Sequence, residues 1–187
     1  MKNLYRGELV RITAEDYETL AKVESRWSND SEYNRLASVR PSRPFSEKSI
    51  KDWYEKQNEH DPRPERYFFS VRTLDEDKLI GYFNLWVNLV HSEAWVAIGI
   101  GERDFWGRGY GTDMMKLCLQ YAFNELNMHR VSLGLHAYNQ RALRTYEKVG
   151  FRPEGRTRKD MFREGKHTDG LWMGILREEW EQMQNGD

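Results

Sequence analysis

The chain has 187 residues, a formal net charge of −1 and 39 % apolar side chains, a length that suits one domain (residues 1–187) with a substantial core. Balanced charge offers no global pull on nucleic acid or an anionic membrane, and the lone Cys118 excludes an intrachain disulfide. No apolar run approaches a membrane span and no charged-then-apolar opening segment is present, so the expectation is a cytoplasmic protein with no nucleic-acid and no membrane partner.

In chain order, Glu8 to Ile12 alternates in character and reads as a first strand, with Thr13 as the cap of a helix carrying Tyr17, Leu20, Val23 and Trp27. Ser28 to Pro44, rich in Asn, Ser, Arg and Pro, reads as a loop. Ser46 caps a second helix to Gln57, with Ile50, Trp53 and Tyr54 on one face, and Asp61-Pro62-Arg63-Pro64 breaks it. Tyr67 to Thr73 and Leu79 to Val87 read as a hairpin, and Ala94 to Gly101 as a further strand after a turn at His91 to Glu93.

Next comes Trp106-Gly107-Arg108-Gly109-Tyr110-Gly111-Thr112, with glycines at alternate positions. It opens a helical pattern from Asp113 to Leu126 whose apolar stripe is Met114, Leu117, Cys118, Tyr121, Ala122 and Leu126. On that stripe Cys118 is a small buried hydrophobe rather than a nucleophile. A glycine-rich turn feeding a helix start suits phosphate, because unpaired N–H groups and the helix dipole converge there. The P-loop is disfavoured, since Gly111-Thr112 lacks its lysine, and the dinucleotide fingerprint is disfavoured by the glycine spacing. A plain structural turn remains the alternative on this stretch alone.

After it, Arg130 to His136 alternates as a strand, and Asn139 caps a helix that ends at Gly150. Phe151 to Phe162 and His167 to Leu176 read as the last two strands, turned at Arg163-Glu164-Gly165-Lys166, with a short acidic tail from Arg177 that could be helical. This order argues for a mixed sheet with helices on both faces. The basic cluster Arg152, Arg156, Arg158, Lys159, Arg163 and Lys166 is interrupted by Glu154, Asp160 and Glu164, and reads as solvated charge rather than a nucleic-acid surface. His60, His91, His129, His136 and His167 show no metal-ligand spacing, so no metal is expected.

Two stretches together carry a resemblance. The Trp106–Thr112 loop resembles the Q/R-x-x-G-x-G/A pyrophosphate loop of the GNAT superfamily of N-acetyltransferases. The Asn139-Gln140-Arg141-Ala142…Tyr146-Glu147-Lys148-Val149-Gly150-Phe151 segment resembles that family's Asn-x-x-Ala…Tyr-x-Lys-x-Gly-Phe segment. The resemblance covers about Phe68 to Leu176, and the loop wording is nearest the ribosomal-protein N-terminal acetyltransferase branch. Trp106 stands where the broad motif has Gln or Arg.

The resemblance implies an α/β (α+β) fold, a mixed, mostly antiparallel sheet of about seven strands with helices on both faces. It implies that the strands ending near Gly101 and starting near Arg130 splay to admit the pantetheine arm of acetyl-CoA. The partners it implies are acetyl-CoA, an amine acceptor and a second copy in a homodimer, and the reaction is acetyl transfer to a primary amine in a ternary complex. A longer acyl group such as succinyl, or a silent acyl-CoA-binding module, are the alternatives. Cofactor contacts fall on the backbone of Ile98 and Ile100, on Trp106, Gly107, Arg108, Gly109, Tyr110, Gly111 and Thr112, and on Asn139. Tyr146 matches the family's general acid, whose phenol stays protonated at neutral pH and can protonate a thiolate.

The base is less well marked. Many relatives carry a glutamate on the strand before the glycine loop, where this chain has Trp95. Glu93 lies two residues earlier on the same strand face and is the candidate catalytic carboxylate, acting through water, although a turn role is the favoured reading of it. His136 is a second choice because imidazole titrates near neutrality. Trp27, Trp53, Tyr54, Trp86 and Trp95 are either acceptor-pocket aromatics or core, and Arg35, Arg40 and Arg43 either draw a carboxylate-bearing acceptor or form a solvated loop.

Overall fold

A computed structural model describes residues 3–59 and 65–186. Asp61-Pro62-Arg63-Pro64 and His60 lie outside the described residues.

The elements are β1 (Val10–Thr13), α1 (Tyr17–Ser28), α2 (Ser31–Ala37), α3 (Glu47–Glu59), β2 (Arg66–Thr73), β3 (Leu79–Asn88), β4 (Glu93–Ile100), α4 (Tyr110–Gln120), β5 (Arg130–His136), α5 (Gln140–Lys148), β6 (Arg152–Arg163), β7 (Lys166–Leu176) and α6 (Arg177–Asn185). The strands form one seven-stranded sheet in the order β1-β2-β3-β4-β5-β7-β6. Every neighbouring pair is antiparallel except β4 and β5.

Helices cover both faces, as expected. On one side Leu20, Ala21 and Trp27 of α1, Tyr33 of α2 and Ile50 and Tyr54 of α3 form an apolar cluster with Leu79, Phe68 and Tyr82. On the other, Met114, Leu117 and Cys118 of α4 pack with Tyr146 of α5 against Phe83, Val96, Val131 and Leu133. Burying these stripes is the main stabilising term of the fold, at roughly 25 cal/mol per Å² of apolar surface.

Three local expectations are corrected. The first helix is capped by Asp16, not Thr13: the Asp16 carboxylate accepts from the Thr19 N–H at 2.7 Å. Thr13 instead bonds Glu15, which forks onto Arg72 at 2.7 and 2.8 Å. The stretch read as a loop contains α2. Asp30 caps it by accepting from the Glu32 and Tyr33 N–H groups, and Tyr33 is its buried anchor. One anchor in seven residues leaves no periodic stripe to read in the sequence. Finally, the long helix is α-helical only to Gln120 and then widens into a π-turn over Tyr121–Glu125, with the Leu126 N–H reaching the Tyr121 carbonyl. Arg177 satisfies the loosened end by donating to the Phe123 and Met128 carbonyls at 2.5 and 3.1 Å.

Candidate active site

The site begins with a failure of strand pairing. β4 and β5 share only the pairs Glu93↔Arg130, Ala94↔Val131 and Trp95↔Ser132, and then diverge. On its other edge β4 stays bonded to β3 as far as Ile100. The Gly101 N–H donates to the Ile80 carbonyl at 2.9 Å, so by the alternation of an antiparallel ladder Gly99 and Ala97 also face β3. Ile98 and Ile100 therefore direct their N–H and C=O groups into the divergence, where no strand meets them. The splay and its open edge bear out the expected cleft.

Between the parted strands lies a cavity of about 590 Å³. Gly107, Gly109, Gly111 and Thr112 border it at the start of α4. Gly107 and Gly109 have φ of +71° and +93°, conformations that favour glycine and turn the loop into the helix N-terminus. The first intrahelical bond runs from the Asp113 N–H to the Gly109 carbonyl, leaving the N–H groups of Tyr110, Gly111 and Thr112 without helical partners.

Trp106 braces this loop. Its indole N–H donates to the Ile100 carbonyl at 2.7 Å, and the guanidinium groups of Arg141 and Arg103 lie 3.8 and 4.9 Å from its ring centroid. Arg103 is in turn held by Asp30 and Glu32. Burial pulls the Arg141 pKa below its ordinary value, with Glu32 opposing the shift and Arg103 adding to it, and the side chain borders the cavity. Arg144 and Lys148 follow on the same helix wall.

Tyr146 borders the cavity from α5 and is buried. Burial pushes its phenol up, with the nearby Cys118 adding to the rise, so the hydroxyl is protonated throughout the physiological range. Asn139 borders the cavity while its side-chain oxygen caps α5, accepting from the Ala142 N–H at 3.2 Å. Cys118 is fully buried and its thiol is also raised by burial, the inert state expected for it.

The structure thus brings Ile98, Ile100, Trp106, Gly107, Gly109, Gly111, Thr112, Asn139 and Tyr146 to one cavity. It keeps two loop residues outside: Tyr110 turns into the core against Phe105, and Arg108 bonds the Asp104 carbonyl at 3.0 Å. Glu93 is corrected. It sits where β4 and β5 are still paired, and its carboxylate accepts from Ser132 Oγ at 2.8 Å and Arg130 Nε at 3.3 Å. That register commits it to the junction of the two strands rather than to the space between them. Trp95, one residue before the strands part, stands edge-on to Trp172 at 5.7 Å.

Residue types alone left several cavity neighbours unmarked: Tyr33, Asp160, Trp172, Arg141, Arg144 and Lys148. The three cations recur on one helix, and their i, i+3 and i+7 spacing was the available signal. The others come from three separate elements. Among the described residues no group of three His, Cys, Asp or Glu side chains could hold a metal ion, and no helix is long and apolar enough to cross a membrane.

A split sheet with an open strand edge, a glycine turn aimed at anions and a buried phenol define an enzyme cleft for an extended, phosphate-bearing acyl donor. The model of the acetyltransferase (GNAT) domain matches residues 6–152, and the chain belongs to that family. It is an N-acetyltransferase that uses acetyl-CoA as co-substrate, and the residues described here fit that molecule. An uncharacterised SPbeta prophage-derived N-acetyltransferase of Bacillus subtilis is 28 % identical over 148 residues, 74 % of this chain and 75 % of its own length. A putative ribosomal N-acetyltransferase of the same organism is 31 % identical over 87 residues, 46 % of this chain and 45 % of its own. In structure, the spermidine N-acetyltransferase of Vibrio cholerae, solved with CoA and spermine, superposes with a TM-score of 0.78 at 24 % identity, covering 92 % of this chain and 98 % of that one.

Proposed function

We propose that residues 1–187 act as one acetyltransferase domain in which a primary amine attacks the bound thioester directly, with Tyr146 as general acid. The open edge at Ile98 carries this reading. Its N–H and C=O can pair with the amide groups of a pantetheine arm laid along β4 as a strand would be. The N–H groups ahead of α4 receive the pyrophosphate, helped by the helix dipole, and Arg141, Arg144 and Lys148 add charge for the remaining phosphate. An N–H of the same edge points at the developing oxyanion. As the amine nitrogen bonds the carbonyl carbon and the carbon–sulfur bond breaks, the Tyr146 proton passes to the sulfur.

For the acceptor, the wording of the glycine loop supports a protein N-terminus, the substrate class of the ribosomal-protein branch. The fold shared with a polyamine acetyltransferase supports spermine or spermidine as the second reading. A homodimer is consistent with either.

The test is a thermal shift with CoA, acetyl-CoA and ATP, followed by release of free thiol with a short peptide or spermine as acceptor. Saturation at ~100 times the dissociation constant adds roughly 2.7 kcal/mol, about 5–10 °C for a chain of this size. A shift with the CoA species alone is expected. Equal shifts with ATP, or none, would overturn the assignment of the loop, and the acceptor that turns over decides between the two readings.

A further inference from the structure

Resting on the acetyltransferase reading, we propose that His136 is the general base that takes the proton from the attacking amine. Strand alternation places it. On β5, residues Arg130, Ser132, Gly134 and His136 share a face. That face is identified by Ser132, whose hydroxyl donates to Glu93 at 2.8 Å, and by Gly134, where an added Cβ would lie 2.9 Å from the Trp172 ring. The intervening Val131, Leu133 and Leu135 point the other way, into the cluster that contains Tyr146.

His136 lies four residues beyond the last pair with β4, roughly 13 Å into the divergence at about 3.3 Å per residue. It borders the cavity and is only 8 % exposed. Acid and base would then approach the space between the strands from opposite faces of the sheet. Both border the one cavity, so each can reach a thioester held there, one toward the amine nitrogen and the other toward the sulfur.

The surroundings hold the imidazole neutral and oriented. Burial lowers its pKa, and Arg163 of β6 adds to that. The hydrogen bond to the Ser38 backbone and the Asp160 carboxylate of β6 act in the opposite direction. The Ser38 carbonyl is itself fixed: Arg163 donates to it at 2.9 Å and to the Arg40 carbonyl at 2.8 Å. The Tyr138 hydroxyl donates to the Arg35 carbonyl at 2.5 Å while its ring stacks on His136 at 5.1 Å, and Arg35 pairs with Glu164.

In the step, the amine nitrogen bonds the carbonyl carbon and its proton passes to His136. The carbon–sulfur bond breaks, and the sulfur takes the Tyr146 proton. One proton returned from imidazolium to phenolate through solvent resets both groups, so no net proton is consumed.

The experiment is the pH profile of kcat at saturating acceptor, with spermine and an alanine-initiated peptide as probes, for wild type, His136→Gln and Asp160→Asn. CoA binding is followed in parallel by thermal shift. For His136→Gln the expected result is a loss of kcat of order 10²-fold at pH 7 with the acidic limb gone and CoA binding kept. Asp160→Asn, at an exposed position, is expected to move the limb to lower pH. A kcat within twofold of wild type in His136→Gln, or an acidic limb unchanged in both variants, would overturn the base. A wild-type protein that turns over neither acceptor would overturn the acetyltransferase reading with it.

Discussion

The indole N–H of Trp106 donates to the carbonyl of Ile100 at 2.7 Å, tying the glycine loop to the open edge of β4. One bond thus links the two surfaces that the co-substrate must touch at once. It also occupies one of the strand-edge acceptors, leaving the Ile98 groups and the Ile100 N–H for a ligand.

Trp106→Phe keeps a ring for Arg141 to cover and removes only this bond. A net hydrogen bond of about 1 kcal/mol corresponds to roughly fivefold weaker acetyl-CoA binding. Calorimetric titration with CoA reads this directly, and unchanged affinity would mean that the loop holds its position without the brace.

Tyr146→Phe removes the proton donor but keeps the buried ring against Phe151. The expected loss in kcat is of order 10²-fold, with CoA affinity within twofold of wild type. Because burial raises the phenol, the wild-type enzyme should show no loss of this proton up to pH 9. A variant that turns over at the wild-type rate would return Tyr146 to a packing role.

Asp113, in the first turn of α4, accepts from the Glu8, Leu9 and Val10 N–H groups at 3.1, 2.7 and 3.0 Å, which pins the approach to β1 against the helix that carries the glycine loop. Asp113→Ala leaves those donors short of an acceptor and should cost about 2–3 kcal/mol, seen as a fall in Tm of about 5–10 °C. A fall of under 2 °C would mean that water replaces the carboxylate at no cost.

Glu24 on α1 gives a pH signature. Its half-buried carboxyl accepts from the Tyr54 hydroxyl at 2.5 Å, yet burial outweighs that bond and lifts its pKa from 4.5 to about 7. Between those values the folded chain holds a proton that the unfolded chain has lost, so stability falls as pH rises through the window. The contribution is fully present below about 4.5, is gone above about 7, and amounts to at most about 3 kcal/mol. Glu24→Gln keeps an acceptor for Tyr54 without the charge, and should flatten this slope and raise Tm at pH 8. Parallel Tm-against-pH curves for the two proteins would contradict the shift.

The sequence by itself determined the strand and helix order from β2 onward, because strict alternation and the stripe from Met114 to Leu126 are local patterns. It also determined the motif residues, since a glycine turn before a helix and an Asn-capped helix ending in Tyr-x-Lys-x-Gly-Phe are contiguous. It did not reveal α2, where Tyr33 alone is buried, or the π-turn, which depends on Arg177 arriving from fifty residues away. Only the tertiary structure separated the two candidates for the base. Glu93 and His136 both lie on strands, on the same face of the sheet, and composition cannot rank them. Register places them differently: Glu93 falls where β4 and β5 are still bonded and meets Arg130 and Ser132, whereas His136 falls past the point where they part. Where two strands separate is set by helices packed from both sides, and no window of sequence contains that balance.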